Sequence, residues 1–189
     1  MGASRTVEPL LTAEDLYALP DDDRRYELVE GRLVVSEPPG WAHGTIAAHV
    51  VVALSLFVRA HRLGMVAVES GHVLARRPDT VRGPDVSFVR TERLPGRDVA
   101  HRYYEGAPDL AIEILSPDDR ATEVARKVAG YLRAGTQAVW VLDPESRTLV
   151  VHTPDGLARL HGPGDTVEGG AALPGFSAAV ASLFPDDAG

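Results

Sequence analysis

The sequence predicts an α/β domain of the α+β kind, a mixed central sheet flanked by helices, and three observations carry that reading. Apolar residues recur at intervals of three and four through residues 43–61, the period of a helix. Residues 109–116 and 138–142 are short runs that are almost wholly apolar, as buried strands are. Residues 26–36 carry β-formers on both sides of Glu30-Gly31, as a hairpin does.

Taken in order, residues 1–8 read as a frayed tail, and Thr12 caps a short helix over 13–19 with Glu14 and Asp15 in its first turn. Strands 26–29 and 32–36 close around Gly31, which tolerates positive φ. After Pro38-Pro39-Gly40, the longest helix runs over 43–61, with Ile46, Val50, Ala53, Leu54 and Phe57 on its apolar side. Residues 66–75 and 84–89 read as strands, the second opening on Pro84, where a missing N–H does least harm. An arginine-rich loop leads to the strand over 109–116, expected at the centre of the sheet. Asp118 or Asp119 is then placed to cap a helix reaching Ala134, and Gly135 to stop it. Strands over 138–142 and 148–152 follow, a weaker one near 157–160, and a strand remnant with a short helix within 173–184. No repeat or linker divides the chain, so 1–189 reads as one domain with its core at about 12–184.

Composition narrows the function. The 189 residues, 44% apolar, suffice for a real core. No window approaches the roughly 20 uninterrupted apolar residues of a membrane span and no basic-then-apolar leader is read, so no membrane is expected and the location expected is cytoplasmic. Cysteine is absent, which excludes thiolate metal sites and cysteine nucleophiles. A formal net charge of −8 argues against a protein that coats nucleic acid. Yet residues 76–102 are locally basic, with seven arginines against four acids. The basic residues include one lysine, Lys127, among 19. A lysine kept where arginine is the rule suggests a task arginine cannot do, such as presenting a compact ammonium able to exchange a proton.

The chemistry centres on Glu113, an ionisable group inside an apolar strand. A buried carboxylate is costly unless it is paired, protonated or bound to metal. Alternation sets Ala111, Glu113 and Leu115 on one face and Leu110, Ile112 and Ile114 on the other. Asp85 can meet Glu113 across neighbouring strands. Asp109 cannot share an ion with Glu113, since four residues of strand span roughly 13 Å; it is expected to serve the strand end. Two carboxylates, a hard cation such as magnesium and a lysine are the parts needed to hydrolyse a phosphodiester.

Tyr26-Glu27-Leu28-Val29-Glu30-Gly31, Gly83-Pro84-Asp85-Val86, the run from Ala107-Pro108-Asp109 to Ser116-Pro117, Lys127 through Tyr131 to Gly135, and Val139-Trp140-Val141-Leu142-Asp143-Pro144 occur in this order. Together they resemble the Uma-type family of the PD-(D/E)XK superfamily, over about residues 12–184. The resemblance implies a restriction-endonuclease-like fold and a DNA endonuclease using magnesium, or manganese, held by Asp85 and Glu113. The superfamily's usual lysine lies two residues after the acid, where this chain has Leu115; the resemblance implies that Lys127 takes its place from the following helix. Glu27 and His43 also match the family pattern. Glu27 reads either as a further metal or water contact or as a surface charge, and His43 either as a phosphate or proton contact or as a packing residue. Arg76, Arg77 and Arg82 are the arginines expected to meet phosphates, and a homodimer suits an enzyme that cuts two strands. The competing readings are a non-catalytic nucleic-acid or protein-binding module on the same fold and a metal-dependent hydrolase of another phosphoester.

Overall fold

The computed structural model describes residues 9–20, 22–95 and 102–186, so the expected tail and Arg97 lie outside the described residues. Helix α1 (Ala13–Tyr17) starts at Thr12, whose side chain accepts from Asp15 N while Asp15 reaches back to the cap. Strands β1 (Arg25–Val29) and β2 (Arg32–Ser36) pair in full register around Glu30-Gly31. Gly31 takes φ +74°, and a Cβ there would lie 2.7 Å from that of Leu10, so the turn requires glycine twice over. Helix α2 (Trp41–His61) leads to β3 (Gly64–Val68), β4 (His72–Ala75), β5 (Thr80–Arg82) and β6 (Val86–Arg90). The short β7 (Tyr104–Glu105) precedes β8 (Leu110–Ile114), α3 (Ala121–Arg133), β9 (Ala138–Asp143), β10 (Thr148–His152) and β11 (Ala158–His161). The small pair β12 (Thr166–Glu168) and β13 (Ser177–Ala179) and a 3₁₀ turn at Val180–Leu183 complete the described chain.

The sheet is less unified than the sequence suggests. Six strands in the order β11-β10-β9-β8-β6-β3 form the central mixed sheet, in which β8 is parallel to β9 and antiparallel to β6. Five more, in the order β2-β1-β5-β4-β7, form a second sheet. The expected single strand over 66–75 is two strands, β3 and β4, one in each sheet, parted at Glu69-Ser70-Gly71. The chain returns between sheets at Gly83-Pro84-Asp85, and Glu69 N donates to Asp85 O at 3.2 Å, so the two crossings lie side by side. His72 braces the joint: its Nε2 lies 3.1 Å from Ser87 Oγ, joining β4 to β6 inside the protein.

Helices cover both faces of the central sheet. Ile46, Val50, Leu54 and Val58 of α2 pack with Leu110, Ile112 and Ile114 in the main core, together with Leu173, Val180, Leu183 and Phe184 from the C-terminal segment. On the other face Val128 and Tyr131 of α3 meet Ala111, Val139 and Val141. The alternation expected for β8 therefore holds. The cap expected at Asp118 or Asp119 does not: Arg120 occupies the N-cap without a side-chain bond, because Asp119 Oδ2 is taken by Ser116 N at 2.8 Å. Among the described residues α2 is the one helix long and apolar enough to cross a membrane; here it covers the sheet.

Candidate active site

The register of β6 and β8 fixes the centre of the site. Val86 faces Ile112 and Ser87 faces Ala111, so the next pair outward is Asp85 opposite Glu113. Opposed residues of antiparallel strands point to one face with Cβ atoms about 5 Å apart, and the backbone ties them further. Ile114 N donates to Asp85 Oδ2 at 2.8 Å. Both carboxylates are nearly closed to solvent. The two lie near enough that the charge of Asp85 bears on Glu113.

Each carboxylate has its own set of donors. Arg25 Nη1 donates to Asp85 Oδ1 and His43 Nε2 to Asp85 Oδ2, each at 3.1 Å. Lys127 Nζ donates to Glu113 Oε2 at 2.9 Å and the Tyr131 hydroxyl to Oε1 at 2.8 Å. Helix α3 makes this possible, because Lys127 and Tyr131 are four residues apart and share its inward face.

The two acids respond oppositely to similar burial. Burial alone would raise the Asp85 carboxyl, yet the bonds from His43 and Ile114 and the charge of Arg25 hold it below the ordinary carboxylate range. Burial raises Glu113, the charges of Asp85 and Glu27 raise it further, and Lys127 offsets them only in part. Acids whose affinities for a proton are pushed apart occur at working sites and in structural ion networks alike. Lys127 departs from the reading of its scarcity. Burial works against its charge, but Glu113, Glu27 and Asp85 outweigh that and raise its pKa above the ordinary value. In this state it is a firmly charged ammonium, suited to holding an anion or a water rather than removing a proton.

Glu27, on β1, does something the sequence did not suggest. Its Oε2 accepts from Arg82 Nη1 at 2.6 Å and its Oε1 from Gly83 N at 2.9 Å. It thereby grips the segment that carries Asp85, and its charge also bears on Glu113 and Lys127. His43 sits in the first turn of α2, spends Nε2 on Asp85 and keeps Nδ1 buried without a partner. Of the expected phosphate contacts, Arg82 is held by Glu27, and Arg76 is shared among Glu14, Asp79 and Glu105. Arg77 is exposed. Arg25 and Tyr131 went unread as site residues. One arginine among 18 gives no signal, whereas Tyr131, one turn beyond Lys127, was legible as its companion.

Among the described residues no three His, Asp or Glu side chains converge as a metal cluster, so a caged zinc or calcium finds no match. Magnesium asks for less, usually one or two carboxylates beside its own water and a substrate phosphate.

Residues 13–181 match the model of the Uma2 family, described as "Putative restriction endonuclease". No curated protein matches the chain. A crystal structure described as that of a putative nuclease belonging to DUF820 from Anabaena variabilis superposes with a TM-score of 0.80 at 25% identity. The match covers 92% of this chain and 97% of that one.

Proposed function

Because the chain belongs to the Uma2 family of restriction-endonuclease-like proteins, we propose that it is a magnesium-dependent endonuclease that hydrolyses phosphodiester bonds in DNA. The observation that carries the proposal is the opposed, buried pair Asp85 and Glu113, with Lys127 bound to the second acid. Asp85 and Glu113 would hold magnesium, or manganese, which when bound acidifies water and stabilises the charge that gathers on the phosphate.

The chain's own residues do the rest. Arg25 and His43 orient the Asp85 carboxylate and keep it ionised. Glu27 fixes the Gly83-Pro84-Asp85 segment at the junction of the sheets. Tyr131 fixes the rotamer of Glu113. Lys127, charged and one-third open to solvent on its side chain, orients the attacking water and supports the developing negative charge. Arg77 is the expected arginine left outward for the backbone of the duplex, and Arg25, a quarter exposed on its side chain and bound to Asp85, would contact the reacting phosphate.

Incubation of plasmid and single-stranded DNA with magnesium or manganese tests this. Wild type is expected to nick or cut DNA, and Asp85→Asn, Glu113→Gln and Lys127→Met are each expected to lose at least about a hundredfold in rate, or 2.7 kcal/mol. A folded wild type that cuts neither substrate with either metal overturns the proposal and favours a binding module on the same fold. Full activity in Lys127→Met removes that residue from the site.

A further inference from the structure

Helix α2 is apolar on every side but covered on one. His43, Ile46, Val50, Leu54 and Val58 face inward. The opposite line of the helix carries Trp41, Thr45, Ala48, Val52 and Leu56 and ends at Arg59, a spacing of threes and fours. Trp41 is 88% exposed, Val52 58% and Leu56 68%. No Asp, Glu, Lys or Arg occurs from Trp41 to Val58. A helix apolar all round belongs in an interior, so this stripe lacks its partner. A groove of about 310 Å³ continues it, lined by Ala47, Ala48, Val51 and Val68 where α2 meets β3, and opening beside His43 and Asp85. Strand β3 is the edge of the central sheet, so nothing in the sheet covers that side.

The ends of the stripe say what the partner is. Glu37 is exposed at its N-terminal end, with Glu69 nearby and shared with Arg25 at 3.9 Å, and Arg59 and Arg62 are exposed at its C-terminal end. The surface is thus complementary to itself when turned end for end. We propose that the chain forms a homodimer by packing α2 antiparallel against α2 of a second copy across a two-fold axis. Arg59 and Arg62 of each copy then meet the acidic end of the other, and the helix dipoles oppose. The stripe also gives two copies with a net charge of −8 each a neutral place to meet. Trp41 is the anchor, since a large aromatic that is covered at an interface dominates its energy. Resting on the nuclease reading, one consequence follows: setting Arg59 opposite Glu37 centres the axis near Ala48, five residues from His43, so the two His43 positions lie about 15 Å apart along the helices, less than one turn of duplex.

Sedimentation and acrylamide quenching of tryptophan test the proposal without recourse to cleavage, so a failed dimer and a failed nuclease are told apart. Trp140 is wholly buried, which leaves Trp41 as the tryptophan that reports. Wild type is expected to sediment as a dimer. Leu56→Asp is expected to raise the dissociation constant at least about tenfold and to make Trp41 more quenchable, with far-ultraviolet circular dichroism unchanged because the side chain is already in solvent. Arg59→Glu weakens the dimer, and adding Glu37→Arg restores it. A monomeric wild type overturns the proposal, as does a dimer that survives Leu56→Asp. If Val34→Asp on the exposed β2 edge abolishes the dimer while Leu56→Asp does not, the interface lies there instead. A monomer that floats with phosphatidylglycerol vesicles assigns the stripe to a lipid surface. Failure of the charge exchange to rescue sinks the antiparallel arrangement.

Discussion

The pair of strands β6 and β8 has an acid at each end, and the two ends are built differently. At one end Asp109 stands alone. Arg93 Nη1 donates to its Oδ1 at 2.8 Å, Arg90 N to its Oδ2 at 2.9 Å, and the Arg90 guanidinium lies 3.6 Å away. One carboxylate thus has more positive charge around it than it needs, and the knot pins the loop before β8 to the end of β6. At the other end Asp85 and Glu113 lie close together, and burial, with the charges of Asp85 and Glu27 added, raises Glu113 although Lys127 is bound to it. A balanced acid holds structure together. Two acids pressed together retain an affinity for protons and divalent cations, and that surplus can be used for chemistry.

The widest test of this contrast sets Asp85→Asn beside Asp109→Asn. Loss of Asp85 is expected to cost at least about a hundredfold in cleavage per folded molecule, near 2.7 kcal/mol, beside whatever stability its bonds to Arg25, His43 and Ile114 N contribute. Loss of Asp109 is expected to reverse that, with about 2 to 3 kcal/mol gone from unfolding in urea and cleavage per folded molecule within about threefold. Equal losses of cleavage in two fully folded variants would show that the ends do not differ in kind.

Between the ends, His72 offers a third arrangement, a buried polar group kept neutral. Burial lowers its pKa to about 4 from 6.5, with the Gly106 carbonyl only partly opposing. Below 6.5 the unfolded chain takes up a proton that the folded chain refuses until about 4, so stability falls as pH is lowered through that window. The whole effect is about 3 kcal/mol. Urea titrations of wild type and His72→Gln over the window should converge as pH falls, because the variant lacks this slope. Parallel curves would mean that the His72 and Ser87 link between the sheets is open to protons.

Much of this was legible beforehand because it depends on local pattern. The faces of β8, the hairpin at Gly31 and the exclusion of Asp109 follow from alternation, turn chemistry and strand rise, which are properties of a few consecutive residues. The division of 66–75 between two sheets was not, since His72, Val73 and Leu74 are good β-formers in either sheet and only distant pairing decides. The same holds at the site. Asp85 and Glu113 could be matched because each is an acid next to apolar strand residues, but Glu27 gripping Gly83 and Arg25 reaching Asp85 are contacts between residues more than fifty positions apart. Lys127 shows a further limit. Its rarity marked the position, but its charge state is set by three carboxylates brought from three elements.

The smallest and most discriminating effect concerns the two tyrosines, one at each end. Tyr131 donates its hydroxyl to Glu113 Oε1, and Tyr104 donates to Arg93 O at 2.9 Å beside Asp109. In Tyr131→Phe the buried Glu113 oxygen loses a donor that favours its charged form, so a carboxyl already raised by burial moves higher still. Magnesium needs the ionised form, and the acidic limb of the pH profile of cleavage should therefore shift upward by about half to one pH unit, with the rate on the plateau nearly kept. Tyr104→Phe removes a hydroxyl from an end that carries no chemistry and should leave that limb where it is. A shift in both variants would mean that the change travels through the strands. A shift in neither would mean that Lys127 alone sets the protonation of Glu113, and that the phenol only fills space.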